Sequence, residues 1–459
     1  MFGVNRSTAR QITTTLAACF IMMSCGTSFG WVAPSFVKLM SEDSVIPMTS
    51  SEASWAIAII EFGNLWSPVP AGILADKLGR KPLALVNGPI SIASWVIIMY
   101  FKSFLALCIG RILQGFVIGI VFTVVPMYLG EIASQNIRGA VITLSQACFW
   151  FGFVYEYVIG PFVSFDTLIL FSVCLPAAFL VLFSFQPESP HFYIMREDEL
   201  NAKKSLMWLR GAKNEEDVKE ELAEITESVR EEMSHKVSLA DIISTPTDRR
   251  ALLIVQVVSG VKMLSGVAPI LAYSTEIYRR TGFTLIPPYM MTIITGLVLF
   301  ISAFFSTTLT DSAGRRPLLI ISCVGCALSL YVVSGFFYVY EFTDSDLGDF
   351  SWVIPLCIIL YNLFMAFGLD PVSITYRVEM FPAHTRSTAA SLNTLVFTIG
   401  AFVTLKFYQV VADTFGVYSI FFIFATCSFL GSIWMYFYAI ETKNKSLAEV
   451  QKELTKMLN

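Results

Sequence analysis

Charge is scarce in this chain. Only 14% of its 459 residues are Asp, Glu, Lys or Arg, whereas a soluble globular chain carries roughly 25%. A surface that faces water all round cannot be made from so little charge. The three His form no cluster with the Cys at metal-ligand spacing, so neither a metal nor a cofactor is expected. The net charge is −4 and no large basic cluster exists, which argues against nucleic acid as a partner. The nine Cys all lie in or beside apolar runs, so they read as small buried hydrophobes and not as a disulfide framework. No nucleophile–base pair and no phosphate-binding loop is visible, so an enzyme is not expected. Nothing suggests the selectivity ring of a channel.

What the chain does have is long apolar runs. It is 55% hydrophobic, with 39 Phe, and a run of about 20 apolar residues crosses a bilayer. Twelve such runs are read, at about 12–36, 54–75, 83–101, 103–127, 139–161, 165–185, 250–275, 289–309, 317–339, 351–378, 387–411 and 418–440. The fold class expected is an all-α polytopic membrane protein with twelve transmembrane helices. The first run lacks a convincing signal-peptide cleavage site and is read as a span. The division expected is a six-helix part at 1–186, a cytosolic helical linker at 187–249, a second six-helix part at 250–440 and a cytosolic tail at 441–459. In the linker, 197–210 and 214–233 have helical spacing, with Val218, Leu222, Ile225 and Val229 as an apolar stripe. Lys and Arg gather on one side of the spans, which places both termini in the cytosol of a multi-pass cell-membrane protein. The opposite loops hold Glu341, Asp344, Asp346, Asp349 and Asp413 among others.

One pattern occurs twice. Residues 76–83 and 311–318 both read D-x-x-G-R-[K/R]-P-L, 235 positions apart, and each is followed by a Glu with an Arg seven residues later. These are Glu131 with Arg138, and Glu379 with Arg386. Two motifs in one order at similar offsets indicate a two-fold internal repeat. Asp76 can accept backbone N–H bonds at a helix start, and Gly79 permits a tight turn. Arg80 and its neighbours can pair with acids on nearby spans. The expected gating network is Asp76, Arg80, Arg111, Glu131, Arg138, Asp311, Arg315, Arg316, Glu379 and Arg386. Pairing inside one half would hold that half rigid, and pairing between halves would lock one side shut.

Polar groups also stand where lipid would forbid them. Lys262 lies near the midpoint of the seventh run and Asp370 in the tenth. A charge within a span is costly unless it is paired or faces water. Gly and Pro mark interruptions in the fifth, seventh and tenth runs, and the eleventh is read as interrupted too. In transporters such breaks often flank the substrate site. Counted at 1.5 Å per residue, Lys262 is about 18 Å and Asp370 about 12 Å from the cytosolic end. An ion pair between them is expected. The alternative is Lys262 on Gln256 or a carbonyl, with Asp370 capping a broken helix.

The stretches GILADKLGRK at 72–81, GRILQG at 110–115, PMYLGEIASQNIRGA at 126–140, PESPHF at 187–192, DSAGRRP at 311–317, EMFPAHTRSTAAS at 379–391 and ETKNKSL at 441–447 together resemble the sugar porters of the major facilitator superfamily. They are most like the insect facilitated trehalose transporters. The resemblance implies two pseudo-symmetric six-helix bundles and alternating-access transport of a sugar or related polyol. It implies no cofactor and no obligate protein partner beyond the bilayer and a small-molecule substrate. Gln146 matches the family's fifth-span glutamine. The positions of a Gln-Gln pair are Lys262 and Met263 here, and Gly-Pro-x-Pro-Trp becomes Asp370 through Ile374. The candidate substrate residues are therefore Gln146, Lys262, Met263, Asp370 and Ile374. The first run lacks a carboxylate at Ser28–Trp31, which favours facilitated diffusion over proton coupling. A charged organic solute, or a non-transporting sensor on the same fold, remains the alternative.

Overall fold

The computed structural model describes residues 6–234, 245–343, 350–381 and 383–456. The expectations placed on Asp344, Asp346 and Asp349 fall outside these, as do the side chains of Asp311 and Arg386. Among the described residues all regular structure is helical. In chain order the helices are α1 (Arg6–Gly30), α2 (Val32–Leu39), α3 (Ser50–Ala58), α4 (Ile60–Trp66), α5 (Pro68–Leu78), α6 (Arg80–Phe101), α7 (Phe104–Ile132), α8 (Arg138–Ile159) and α9 (Phe165–Ser184). The linker holds α10 (Pro190–Met195), α11 (Glu199–Arg210) and α12 (Glu216–Ser234). Then follow α13 (Pro246–Leu264), α14 (Val267–Ala272), α15 (Ser274–Arg280), α16 (Pro288–Ala313), α17 (Arg315–Phe342), α18 (Val353–Phe364), α19 (Asp370–Glu379), α20 (Ala383–Phe415), α21 (Val417–Tyr438) and α22 (Leu447–Lys456).

Among the described residues, ten helical stretches are long and apolar enough to cross a bilayer, or eleven if α3–α4 and α5, bent by 44° at Ser67, count as one. The protein is thus an all-α polytopic membrane protein. Helix formation follows from the solvent: lipid offers no partner to N–H or C=O, so each span must bond its own backbone. The breaks are specific. α8 runs through Gly152 and gives way to a 3₁₀ turn only at Gly160–Phe162. The seventh run stops at Leu264 and restarts after Gly266, whose φ of +86° suits glycine. The tenth passes through a π-helical turn, Met365–Leu369, between α18 and α19. The eleventh run was expected to be interrupted, but α20 is continuous from Ala383 to Phe415. Its glycine, Gly400, instead seats the Met263 side chain.

The chain forms two compact units. The first comprises 1–28, 62–153 and 166–236, and the second 29–61, 154–165 and 237–459. In the first, α1 and α8 touch backbone to backbone. A Cβ on Gly26 would lie 2.0 Å from the Phe149 carbonyl oxygen, and one on Gly152 would lie 2.3 Å from that of Met23. Small residues allow such an approach where lipid gives helices no hydrophobic drive to associate. The linker stripe is buried as the spacing predicts, with Val218, Leu222, Ile225 and Val229 packed on Ala202 and Leu206 of α11. In the second unit α17 and α21 pack along their lengths, and Phe337 stacks on Phe421 at 5.7 Å.

Candidate functional site

The repeated motif builds the same arrangement twice, once in each unit. In the first, Gly79 adopts φ +105° between α5 and α6, which lets the chain turn sharply and brings Arg80 back toward the helix it has left. Arg80 is buried. It donates to the Ala75 carbonyl at 3.0 Å, pairs with Asp76 at 3.1 Å and reaches Glu131 of α7 at 3.1 Å. The hydroxyl of Ser189 donates to the other oxygen of Glu131. Glu188 accepts from the backbone N–H of Lys81 at 2.9 Å and of Ser189 at 2.7 Å. In the second unit Gly314 has φ +90°. Arg315 donates to the Thr310 carbonyl at 3.1 Å and pairs with Glu379 at 2.8 Å. Thr442 donates to Glu379, and Glu441 accepts from the N–H of Arg315 at 3.0 Å and of Arg316 at 3.1 Å. A carboxylate at a helix start meets both unpaired N–H groups and the positive end of the dipole.

Glu188, Ser189, Glu441 and Thr442 were not singled out from the sequence. The available signal was that they lie in the stretches PESPHF at 187–192 and ETKNKSL at 441–447, each just after the last run of its half. The two carboxyls differ in environment. Burial dominates at Glu188 and raises it above the usual carboxylate range, against the N–H donors of Ser189 and Lys81 and the Arg80 charge. Burial also opposes the charge of Glu441, but the N–H groups of Lys443, Arg315, Arg316 and Thr442 together hold it below that range.

Other expected network residues lie elsewhere. Arg111 is buried in α7 and donates to the Ser28 carbonyl and, at 2.9 Å, to Gln114. Arg316 sends its guanidinium to the Tyr436 carbonyl at 2.6 Å. Arg138 is exposed at the start of α8, and among the described residues its side chain makes no hydrogen bond or ion pair.

The second constellation sits where the seventh and tenth runs break. Lys262 occupies the last turn of α13, and Asp370 the first residue of α19. The two form an ion pair, with side-chain exposures of 9% and 26%. The Lys262 ammonium also lies 5.0 Å from the centroid of the Phe397 ring. The freed backbone groups are served locally. Tyr361 donates to the Ser265 carbonyl at 3.1 Å, and Ser322 to the Phe364 carbonyl at 2.7 Å. Gln256 does not serve Lys262. It accepts instead from Asn393, at 3.1 Å, which also donates to Ser259 at 2.8 Å. Ile374 is exposed on α19 and Gln146 is half-buried on α8. Met263 is buried against Gly400.

A third feature, in the second unit, joins α3 to α20. Lys406 donates to Ser54 at 2.8 Å and lies 4.5 Å from the Trp55 ring centroid. Ser50 donates to Asp413 at 2.7 Å, and Trp55 meets Phe402 at 6.0 Å. Phe402, Lys406 and Asp413 recur at helical spacing, so one face of α20 carries the whole contact.

The family described as "Sugar (and other) transporter" matches residues 4–454. The chain belongs to that family. Among its relatives, the facilitated trehalose transporter Tret1 of Drosophila mojavensis is 29% identical over 447 residues, covering 97% of this chain and 51% of that protein. Tret1 of Culex quinquefasciatus is 29% identical over 454 residues, covering 98% and 87%. The chain thus spans about half the length of the Drosophila relatives it matches. Among solved structures, the inward-open xylose transporter XylE from E. coli aligns with a TM-score of 0.76 at 18% identity, covering 97% of this chain and 99% of that one. XylE described as a proton:xylose symporter of the major facilitator superfamily, bound to 6-bromo-6-deoxy-D-glucose, gives 0.72 at 19%, covering 98% and 100%. This family member therefore has the fold of those transporters.

Proposed function

We propose that the protein moves a sugar or related polyol across a membrane by alternating access and facilitated diffusion. The observation that carries this reading is the meeting of two broken helices at Lys262, Asp370 and Phe397. Broken spans are tolerated only against protein or a water-filled cavity, and charged hydrogen-bonding groups beside an aromatic face suit a hydroxyl-rich ligand. The Tret1 relatives are named as trehalose transporters, which makes trehalose the first solute to try. In this reading α8 is a further span despite Gln146 and Glu156. The chain then has twelve spans in two pseudo-symmetric six-helix bundles, 1–186 and 250–440, joined by the linker 187–249. Both termini lie in the cytosol of a multi-pass membrane protein. The Arg80–Glu131 and Arg315–Glu379 pairs stiffen their own halves, and the α3–α20 contact is the gate that must open. Lys262 and Asp370, with Gln146 and Ile374, are the substrate candidates.

The ion pair also favours a second reading, in which the solute carries a charge. Purified protein in liposomes, offered trehalose, hexoses, polyols, sugar acids and amino compounds with and without a proton gradient, separates the two. Saturable trehalose or hexose uptake indifferent to the gradient is expected. Uptake of charged solutes alone would replace the first reading with the second. Binding of a solute without uptake would leave only a sensor.

A further inference from the structure

In the first unit, the ends of α5, α6 and α9 and the faces of α10 and α11 enclose an open cavity of about 610 Å³, within the range of small-ligand sites. Its depth is fixed by the chain. Lys81 stands in the first turn of α6, and Phe185 directly follows the last residue of α9. Both helices are apolar enough to span a bilayer, so the cavity lies where they leave the hydrocarbon. One rim is apolar and open: Leu78 is 57% exposed and Phe185 78%. The other is cationic. The Lys81 ammonium is held by the Ser184 carbonyl at 2.8 Å, which uses one of its three donors. Lys204 of α11 is exposed, and among the described residues it makes no hydrogen bond or ion pair. Trp208 lines the floor, with the Arg10 guanidinium 5.4 Å from its ring centroid. The carboxylate in the lining, Glu188, has both oxygens engaged by the N–H groups of Lys81 and Ser189.

A site with two available ammonium groups on one side and open apolar side chains on the other, at the edge of the hydrocarbon, has the chemistry of a lipid. We propose that this cavity holds the headgroup of an anionic phospholipid, its phosphate between Lys81 and Lys204 and its acyl chains on Leu78 and Phe185. Neither lysine belongs to the ion-pair network or to the substrate candidates. The site is therefore separate from solute binding, and it stands whether or not the solute is a sugar. A lysine near a membrane surface strengthens binding to anionic lipid by about fivefold.

The test is native mass spectrometry of the full-length protein in detergent, titrated with phosphatidylserine and with phosphatidylcholine of the same chains. One phosphatidylserine is expected to be retained in preference to phosphatidylcholine. Lys204→Ala should weaken that retention about fivefold, and adding Lys81→Ala should weaken it further. Lys204 is exposed and, among the described residues, unpartnered, so its replacement leaves folding intact. Lys219→Ala, on an exposed part of the linker, should change nothing. Equal retention of the two lipids would overturn the proposal, as would full retention by the double variant. Displacement of phosphatidylserine by glycerophosphoserine or inorganic phosphate at equal affinity would make this a site for a soluble phosphate and overturn the lipid assignment.

Discussion

His191 follows Pro190 at the start of α10, and its Nδ1 is buried with no hydrogen-bond partner among the described residues. Burial, joined by the charges of Arg80, Arg138 and Arg210 and opposed by Glu221, lowers its pKa from 6.5 to about 4. The folded imidazole is thus neutral down to about pH 4, whereas the unfolded chain takes up its proton near 6.5. Between those values the unfolded state binds more protons, so stability falls as pH falls. Melting temperatures measured between pH 7 and pH 4 should therefore drop less steeply in His191→Gln than in the native protein. Parallel curves would remove His191 as the cause. The Lys262–Asp370 pair makes a second prediction at this scale. Lys262→Gln or Asp370→Asn alone strands a charge, at a cost of up to about 3 kcal/mol given the partial exposure of Asp370. The double change should recover much of that loss. A double-mutant cycle on folded yield and on uptake reads the coupling, and strictly additive losses in both would mean that the two residues act independently.

Helix contacts in this protein depend on missing side chains. Gly26 and Gly152 let α1 and α8 meet at backbone distance, and neither neighbour is a flexible side-chain tip that could move aside. Gly152→Ala should already force the helices apart, with an overpacking cost of about 1–3 kcal/mol. Gly72 has nothing within 4 Å of where a Cβ would stand, so Gly72→Ala is the matched control. Size-exclusion profiles and thermal stability in detergent should show the first variant impaired and the second close to native. Equal behaviour would mean that the α1–α8 crossing tolerates separation.

At the scale of the whole molecule the proposed function needs a contact that forms and breaks. The α3–α20 contact is a candidate because its parts are individually modest: a lysine on a serine and an indole, and a serine on Asp413. Lys406→Met should remove the hydrogen bond and the cation–π contact, worth about 0.5–2 kcal/mol, and shift the balance between states several-fold. A cysteine placed at Ala53, buried on α3 beside the contact, should then react faster with a membrane-impermeant reagent applied from outside. An unchanged rate would show that Lys406 does not hold this face closed. The same reagent applied to tags at either end of the chain tests the proposed orientation, since both should be shielded from outside.

The sequence by itself determined where helices form, because lipid compels every apolar run to bond its own backbone. It also gave the repeat, and with it Arg80, Glu131, Arg315 and Glu379, because those pairs recur at matched positions. The buried stripe of α12 was legible for a related reason: periodicity names the face that must be covered. Depth along a helix can be counted at about 1.5 Å per residue, so Lys262 and Asp370 could be placed near one level. The pairing of Lys262 with Asp370, 108 positions away, was therefore within reach of the count. What no count supplies is rotation about the axis, and only packing decided that Gln256 goes to Asn393 and that Met263 turns into the space left by Gly400. The bend at Ser67 and the capping roles of Glu188 and Glu441 were likewise tertiary decisions. Each depends on a backbone group that a different segment brings within reach.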